Sequence, residues 1–431
     1  MRTFAINTLG CKVNQYESQQ IRQVLEDFSL FQVQIDEKPD LIVVNTCCVT
    51  HIASAKSRQN IRKLRRLNPG SKIIVAGCLP AGPNAELGDF DHDTIIIDDK
   101  SRLFDELKSF LSKNIAQLHE SAAPDSTTPG LTSYSGQTRA FLKVQDGCDG
   151  FCSYCIVPKI RSTIYNKPAE QVIAEARNLV YAGHGEIVLT GIFLGAYGQT
   201  TVRRKHWTND TGFLPDLIDK VAQVPGLKRL RLSSLEPADV TDSLLDVMCA
   251  HENIMPHLHL PLQSGSPAIL KKMCRQYNAD EFRQMIEKVN SRLDRPAITT
   301  DIIVGFPTEA DEDFQQTMQM AQFAQFSKIH VFSYSQRKDT AAVNMNPKVP
   351  PQIITERSKT LRRLDAELGH KFRLRFAGEK ISAIIESTNP HQGRSERYFM
   401  VQFLNAPSSI KQGDFVHGQL DKTAVKAQIF M

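Results

Sequence analysis

Apolar positions in the first 120 residues come in short unbroken runs, separated by longer stretches whose apolar residues lie three and four apart. The runs at 4–8, 41–45, 73–76 and 94–97 have the length and branched-residue content of buried parallel strands. The stretches at 16–28, 52–67 and 102–111 carry the helical period. Alternation of this kind predicts an α/β fold that opens with a doubly wound parallel domain over residues 1–120. Residues 121–136 gather Ser, Thr, Pro and Gly and read as a linker. Beyond it six apolar runs (141–145, 186–190, 229–233, 257–262, 298–304, 328–335) alternate with helical stretches at 169–181, 214–224, 238–250, 280–293, 310–326 and 353–370. Six such units over residues 137–366 predict a partial (β/α)6 barrel, with its functional mouth at the C-terminal strand ends. Residues 367–431 shorten to alternating segments at 381–386, 397–403 and 414–420, which predicts a small all-β barrel.

Composition adds limits. No apolar run approaches the roughly 20 residues that span a bilayer, and residues 1–7 enter a strand pattern with no signal-peptide core. A cytoplasmic protein with no membrane partner is expected, and nothing in the sequence demands more than a monomer. Nine cysteines without a secretion signal suit metal binding better than disulfides. The net charge of +5 is unevenly placed: residues 371–431 hold nine Lys or Arg against five Asp or Glu. Lys371, Arg373, Arg375, Arg394 and Arg397 are the RNA-binding candidates of that tail, because small β barrels commonly bind single-stranded or looped RNA. Tyr398 and Phe399 beside them read as core rather than stacking residues. Lys56, Arg58, Arg62, Lys63, Arg65 and Arg66 crowd one predicted helix with no acidic residue from His51 to Lys72. Such a helix is either a solvated face or a phosphate-binding one.

Cys148, Cys152 and Cys155 carry the sharpest chemistry. Their C-x3-C-x2-C spacing, with Tyr154 before the last cysteine, can bind three irons of a [4Fe–4S] cubane and leave the fourth iron without a protein ligand. A zinc site is the plainer alternative, but zinc wants a fourth Cys or His nearby, and none lies between Ala122 and Ala182. Cys11, Cys47 and Cys78 are scattered, yet each follows a predicted strand of the first domain. Loops after parallel strands gather at one sheet edge. The three are therefore either ordinary buried cysteines or a convergent set able to ligate a second cluster. Cys48 adjoins Cys47 and competes for the second place, while Cys249 and Cys274 read as packing residues.

Several motifs stand in order along the chain: Thr8-Leu9-Gly10-Cys11-Lys12-Val13-Asn14-Gln15-Tyr16-Glu17-Ser18, Val44-Asn45-Thr46-Cys47, the three-cysteine loop, Leu189-Thr190-Gly191, Ser233-Ser234-Leu235-Glu236-Pro237, His259-Leu260-Pro261-Leu262-Gln263-Ser264-Gly265 and Thr300-Asp301-Ile302-Ile303-Val304-Gly305-Phe306-Pro307. Together they resemble the radical S-adenosylmethionine (SAM) methylthiotransferases over essentially the whole chain. The Lys-Val-Asn-Gln-Tyr-Glu form resembles the branch acting on threonylcarbamoyladenosine in tRNA. The resemblance implies a methylthiotransferase N-terminal domain, a radical-SAM core and a TRAM-like RNA-binding barrel. It also implies two [4Fe–4S] clusters, with SAM as both methyl donor and radical source. The auxiliary cluster would sit on Cys11, Cys47 and Cys78, with Cys47 favoured over Cys48 because it follows the Asn-Thr pair. The radical-SAM cluster would sit on Cys148, Cys152 and Cys155. Tyr154, Thr190, Gly191, Ser234, Glu236, Gln263 and Ile303 would line the SAM site, with tRNA as partner besides an electron donor and a sulfur source. A radical is required because the aromatic C2–H of adenine offers no acidic proton. Two sister branches act on isopentenyladenosine or on a ribosomal-protein aspartate, and an inactive iron–sulfur RNA-binding protein is the alternative from another class. One stretch departs from the family: after Pro158 the chain keeps Arg161, but it places Ser162, Tyr165 and Lys167 where glycine and arginines are usual. That puts substrate contacts at this loop in question. Asp301 is expected as a polar contact in the mouth, one of His257 and His259 as a core histidine, and Gly305 with Glu309 as a loose adenine-binding pattern.

Overall fold

Five strands, Thr3–Thr8, Phe31–Gln32, Leu41–Thr46, Lys72–Gly77 and Thr94–Ile96, form the first sheet of the computed structural model. The model describes residues 1–82, 87, 94–115, 130–204 and 211–429. All pairings in this sheet are parallel, in the order 31–32, 3–8, 41–46, 72–77, 94–96. Alternate residues of one strand feed opposite layers. Leu41 and Val43 pack with Ile21 and Leu25, whereas Ile42 and Val44 pack with Ile61 and Leu64. This period-two division is why the run 41–45 reads as unbroken hydrophobicity, and it gives the expected doubly wound domain.

The second unit is an open arc of parallel strands: Ala140–Asp146, Glu186–Gly191, Arg229–Leu232, His257–His259, Ala297–Val304 and Lys328–Ser333. Bridges from Leu230 to Ile254 and from Ser234 to His259 join its two sheets. A short strand, Tyr165–Asn166, pairs antiparallel to the first. The helix after the last strand runs over Pro351–Leu374, four residues beyond the expected end. Leu361, Leu364, Leu368 and Phe372 continue its buried stripe past 370. Lys371 and Arg373 therefore sit in the last turn of a helix, with Arg375 as its C-cap, and not on a β barrel.

Five strands, Lys380–Thr388, His391–Ser395, Met400–Leu404, Phe415–Leu420 and Lys426–Ile429, close into the small barrel. It seals the floor of the large arc. Arg229 donates to Ser382 Oγ at 2.8 Å and Arg231 to the Ser395 carbonyl at 2.7 Å, while Arg231 Nε also reaches the buried Glu186 at 2.7 Å. The Tyr398 ring stacks on His257 at 3.9 Å, and Phe399 packs against Phe372 and Phe376.

The first unit is strapped to the arc. Gln19, Arg22 and Gln23 of the helix Lys12–Asp27 donate to the carbonyls of Ser135, Ser133 and Gly130 at 3.0–3.1 Å. The end of the expected linker thus lies along this helix, while its part at 121–129 falls outside the described residues. Among the described residues no helix is long and apolar enough to cross a membrane.

Candidate active site

The strand Ala140–Asp146 runs straight into the cysteine loop. Gly147 makes the turn at φ +81°, where a Cβ would lie 1.9 Å from the Thr163 carbonyl oxygen, so only glycine fits. The loop is then tied on every side. The Cys148 amide donates to the Arg161 carbonyl (2.9 Å), the Ser153 amide to Met273 (3.0 Å), and the Ala342 amide to the Ser153 carbonyl (2.8 Å). The Gly150 amide donates to Cys148 Sγ at 3.3 Å. Arg275 donates to Cys152 Sγ at 3.1 Å and to the Tyr154 hydroxyl at 3.2 Å, and pairs with Glu236. Burial pushes the Cys148 thiol up to about 11 and Cys155 to about 12. In the metal-free chain these thiols hold their protons. A metal cluster bound there would supply the positive charge that turns them into thiolates.

The scattered cysteines do converge. Cys11 caps the helix Lys12–Asp27, Cys47 follows Leu41–Thr46, and Cys78 follows Lys72–Gly77. Their common neighbour is Asn14. Its Oδ1 lies 3.9 Å from Cys11 Sγ and 3.7 Å from Cys78 Sγ, while its Nδ2 is anchored on the carbonyls of Leu9 and Thr46. At Gly10 (φ +108°) a Cβ would stand 3.2 Å from Cys47 Sγ, which brings the second thiol to the same place. Cys48 is turned away: its thiol donates to the Cys78 carbonyl at 2.9 Å. Cys11 is exposed and the other two are buried, and burial raises Cys47 to about 11. Three soft sulfur donors with an open side fit an iron–sulfur cluster that keeps one iron free.

Arg161 joins the two constellations. Its carbonyl holds the Cys148 amide, and its guanidinium reaches Asp146 (2.7 and 2.9 Å), Glu17 (2.8 and 2.9 Å), Asn14 Oδ1 (3.3 Å) and Cys78 Sγ (3.8 Å). Burial alone would raise Glu17, but Arg161, Lys100 and Lys143 hold it well below the usual carboxylate range. In the same unusual loop Lys167 pairs with buried Glu175 and donates to the Tyr16 hydroxyl at 2.7 Å. Of the departures after Pro158, Lys167 thus serves the joint between the two units.

The remaining expected residues fall around this mouth. Thr190 and Gly191 end the second strand of the arc, and a Cβ at Gly191 would lie 3.0 Å from Gln145 Oε1. Ser234 bridges to His259 beyond the third strand. Glu236 faces Arg275. Gln263 adopts φ +61° and exchanges backbone bonds with Asp301 and Ile303. Tyr154 and Ile303 meet in one apolar cluster with Phe306 and Met273. Glu309 accepts the Gly305 amide and pairs with Arg357 at 2.8 Å, so it is tied within the chain. Of the RNA candidates, Arg394 pairs with Glu386 at 2.7 Å and Arg397 binds the Arg295 carbonyl at 3.0 Å, while Lys371 pairs with Glu367. On the helix His51–Leu67, Lys56, Arg62, Lys63 and Arg66 are exposed, and its start is tied to the arc through the His51 amide and Ser335 (2.9 Å). Arg275 and Asn14 escaped the sequence reading. Asn14 lay inside the opening motif, whereas nothing in the sequence marks Arg275.

Comparison with known proteins follows this geometry. The model described as uncharacterized protein family UPF0004 matches residues 3–97, and that of the radical SAM superfamily matches residues 142–321. The threonylcarbamoyladenosine tRNA methylthiotransferase of Chlamydia pneumoniae is 37% identical over 89% of this chain and 87% of its own length. That of Bacillus subtilis is 34% identical over 95% and 92%. This chain belongs to the tRNA methylthiotransferase family. A relative from Rhodococcus jostii, 31% identical over 96% of this chain and 86% of its own, is named tRNA-2-methylthio-N(6)-dimethylallyladenosine synthase, so the family spans two adenosine side chains. In fold alone, the chain resembles the radical SAM methyltransferase TsrM of Kitasatospora setae, with a TM-score of 0.55 and 14% identity over 80% of this chain and 77% of that one. SAM and [4Fe–4S] clusters are the cofactors of a family member with this core.

Proposed function

We propose that this protein converts threonylcarbamoyladenosine beside the tRNA anticodon, at position 37, to its 2-methylthio derivative. The observation that carries the reading is Arg161, one buried residue in contact with both three-cysteine sets. The relatives from Chlamydia pneumoniae and Bacillus subtilis, at 37% and 34% identity, bear the threonylcarbamoyladenosine name. Cys148, Cys152 and Cys155 would hold the cluster that binds SAM, and Cys11, Cys47 and Cys78 the auxiliary one. When bound, the first would supply a radical able to take hydrogen from an aromatic carbon, and the second would carry the sulfur.

The chain's own residues bind, orient and exclude water. Tyr154 and Ile303 offer apolar faces to the adenine of SAM. Thr190, Gly191, Ser234 and Gln263 present polar and backbone groups to its amino acid and ribose, and Arg275 fixes Glu236 beside them. Arg275 and Arg161 also place positive charge against cysteine sulfurs, which offsets the charge gathered on a thiolate-bound cluster. Lys56, Arg62, Lys63 and Arg66 give tRNA phosphates a face next to the mouth, and the small barrel adds a second surface. The protein acts as a cytoplasmic monomer, with a reductant and a sulfur source as further partners.

Nucleoside mass spectrometry of tRNA from cells with and without the gene tests the reading. Loss of 2-methylthio-threonylcarbamoyladenosine with accumulation of its precursor is expected. An unchanged profile would overturn it.

A further inference from the structure

Arg275 lies between the cysteine loop and a residue expected to hold SAM, and its guanidinium is shared between them. Its side chain is 6% exposed and that of Glu236 15%. Nη1 donates to Cys152 Sγ (3.1 Å) and to the Tyr154 hydroxyl (3.2 Å), while Nη2 pairs with Glu236. A guanidinium has five N–H donors and no acceptor. Nε is buried and has no hydrogen-bond partner among the described residues. A buried donor is costly to leave unpaired, so an acceptor bound at this mouth is what it lacks.

The segment that carries Arg275 is fixed from both sides. Cys274 turns the chain at φ +55° after the helix Pro267–Lys272, and the Arg275 amide donates back to the Leu270 carbonyl at 3.0 Å. Ser153 of the cysteine loop clasps the same turn, its hydroxyl donating to the Lys272 carbonyl at 2.7 Å. On the far side the Tyr277 ring lies 5.0 Å from the guanidinium. Its hydroxyl donates to the Pro261 and Leu262 carbonyls (2.7 and 2.8 Å), next to Gln263. Glu236 is held as firmly, since its amide donates to Asp239 (2.8 Å), which pairs with Arg204. The guanidinium is thus kept against Cys152 and Glu236 at once.

Charge at this point has a definite effect. Reduction adds an electron to a cluster ligated by Cys152, so a cation hydrogen-bonded to that sulfur favours the reduced form and raises the potential. Glu236 opposes this, because an adjacent carboxylate cancels much of the guanidinium's field. SAM carries hydroxyl and ammonium donors. A donor that engages Glu236 draws it from Arg275 and leaves more of the positive charge on Cys152.

We propose that Arg275 and Glu236 form a charge balance that sets the reduction potential of the cluster on Cys148, Cys152 and Cys155, and that SAM tips it upward by engaging Glu236. This rests on the function proposed above. The test uses full-length protein carrying Cys11→Ala, Cys47→Ala and Cys78→Ala, so that only the loop set is loaded. The potential is read from the EPR signal of the reduced cluster. Arg275→Gln should lower it by about 59 mV, which is tenfold in a one-electron equilibrium. Glu236→Gln should raise it by a similar amount, and Arg275→Lys should stay nearer the parent than Arg275→Gln does. With saturating SAM the parent's potential should rise further than that of Glu236→Gln. Opposite shifts are the signature of charge, because damage to packing would move both variants alike. Iron and sulfide content show that each variant is loaded, and Glu236→Gln carries the test alone if Arg275→Gln takes up no iron. Unchanged potentials, shifts of the same sign, or equal responses of the parent and Glu236→Gln to SAM overturn the inference. A parent protein that takes up no iron at the loop overturns the underlying reading instead.

Discussion

The two cysteine constellations come together by opposite routes. Cys148, Cys152 and Cys155 lie within eight residues of one loop, and the loop's own turns set much of their geometry. Cys11, Cys47 and Cys78 span 68 positions and meet only once three parallel strands are in register. The first site is local and the second is a product of tertiary structure. Loop-closure entropy is small for the first and is met for the second by the folding of the whole domain. Damage to the domain should therefore cost the auxiliary site first, and the joint at Arg161 is where the two fates are coupled.

Removing a ligand from each set separates them most sharply. Cys152→Ala should abolish SAM cleavage to 5′-deoxyadenosine in anaerobically reconstituted protein. Cys47→Ala should retain that cleavage and lose methylthio transfer. Each variant should keep about four irons if each set holds one cubane, as proposed. Full SAM cleavage by the first variant would remove the assignment of the loop.

Proton release gives the next largest effect. The cluster-free thiols sit high, with Cys47 and Cys148 at about 11 and Cys155 at about 12, all raised by burial. Cluster binding takes thiolates, so each set must shed about three protons. Retention of iron against a chelator should weaken steeply as pH falls from 8 to 7, by up to about a thousandfold per cluster. A flat response would mean that the thiols are already ionised in the empty chain.

Arg161 tests the coupling itself. Arg161→Gln strands Glu17 and Asp146 in the buried joint with only Lys100 and Lys143 beside them. Breaking a buried pair in this way costs about 3–5 kcal/mol, read as a lowered urea midpoint. The sign with pH follows from Glu17, whose carboxyl is held below its ordinary range in the folded chain. Its contribution is present above the unfolded value and lost as pH falls through the folded one. The deficit of the variant should therefore shrink in acid. A variant as stable as wild type at neutral pH would show that the joint holds without Arg161.

The same contrast explains what could be read in advance. The local set was legible because spacing alone carries it. The scattered set was legible only through strand patterns: runs such as 41–45 announce buried strands, and loops after parallel strands share an edge. Side-chain partners were beyond reach, because no periodicity marks Arg275, which crosses from another loop to Cys152, or the exchange of Lys167 with Glu175 and Tyr16. The end of the last helix was missed where Phe372 extends the apolar stripe; the strand His391–Ser395 is too polar to show an alternation, and Lys426–Ile429 alternates over only four residues. The basic tail was read as free charge, yet Arg394 and Arg397 are engaged within the chain, a distinction that composition does not make.

The smallest effect is the most discriminating within the scattered set. Cys47 and Cys48 are neighbours and both buried, so proximity does not separate them. Direction does, because successive residues in extended chain point to opposite sides. Cys47 Sγ faces Gly10, whereas Cys48 packs with Ile61 and Leu64 and donates to the Cys78 carbonyl. Cys48→Ala should keep the iron of both clusters and the full methylthio transfer, losing about 1 kcal/mol for one hydrogen bond and a small packing defect. If it instead loses the auxiliary iron while Cys47→Ala keeps it, the ligand is Cys48, and the strand end at Thr46 turns one residue later in the loaded protein.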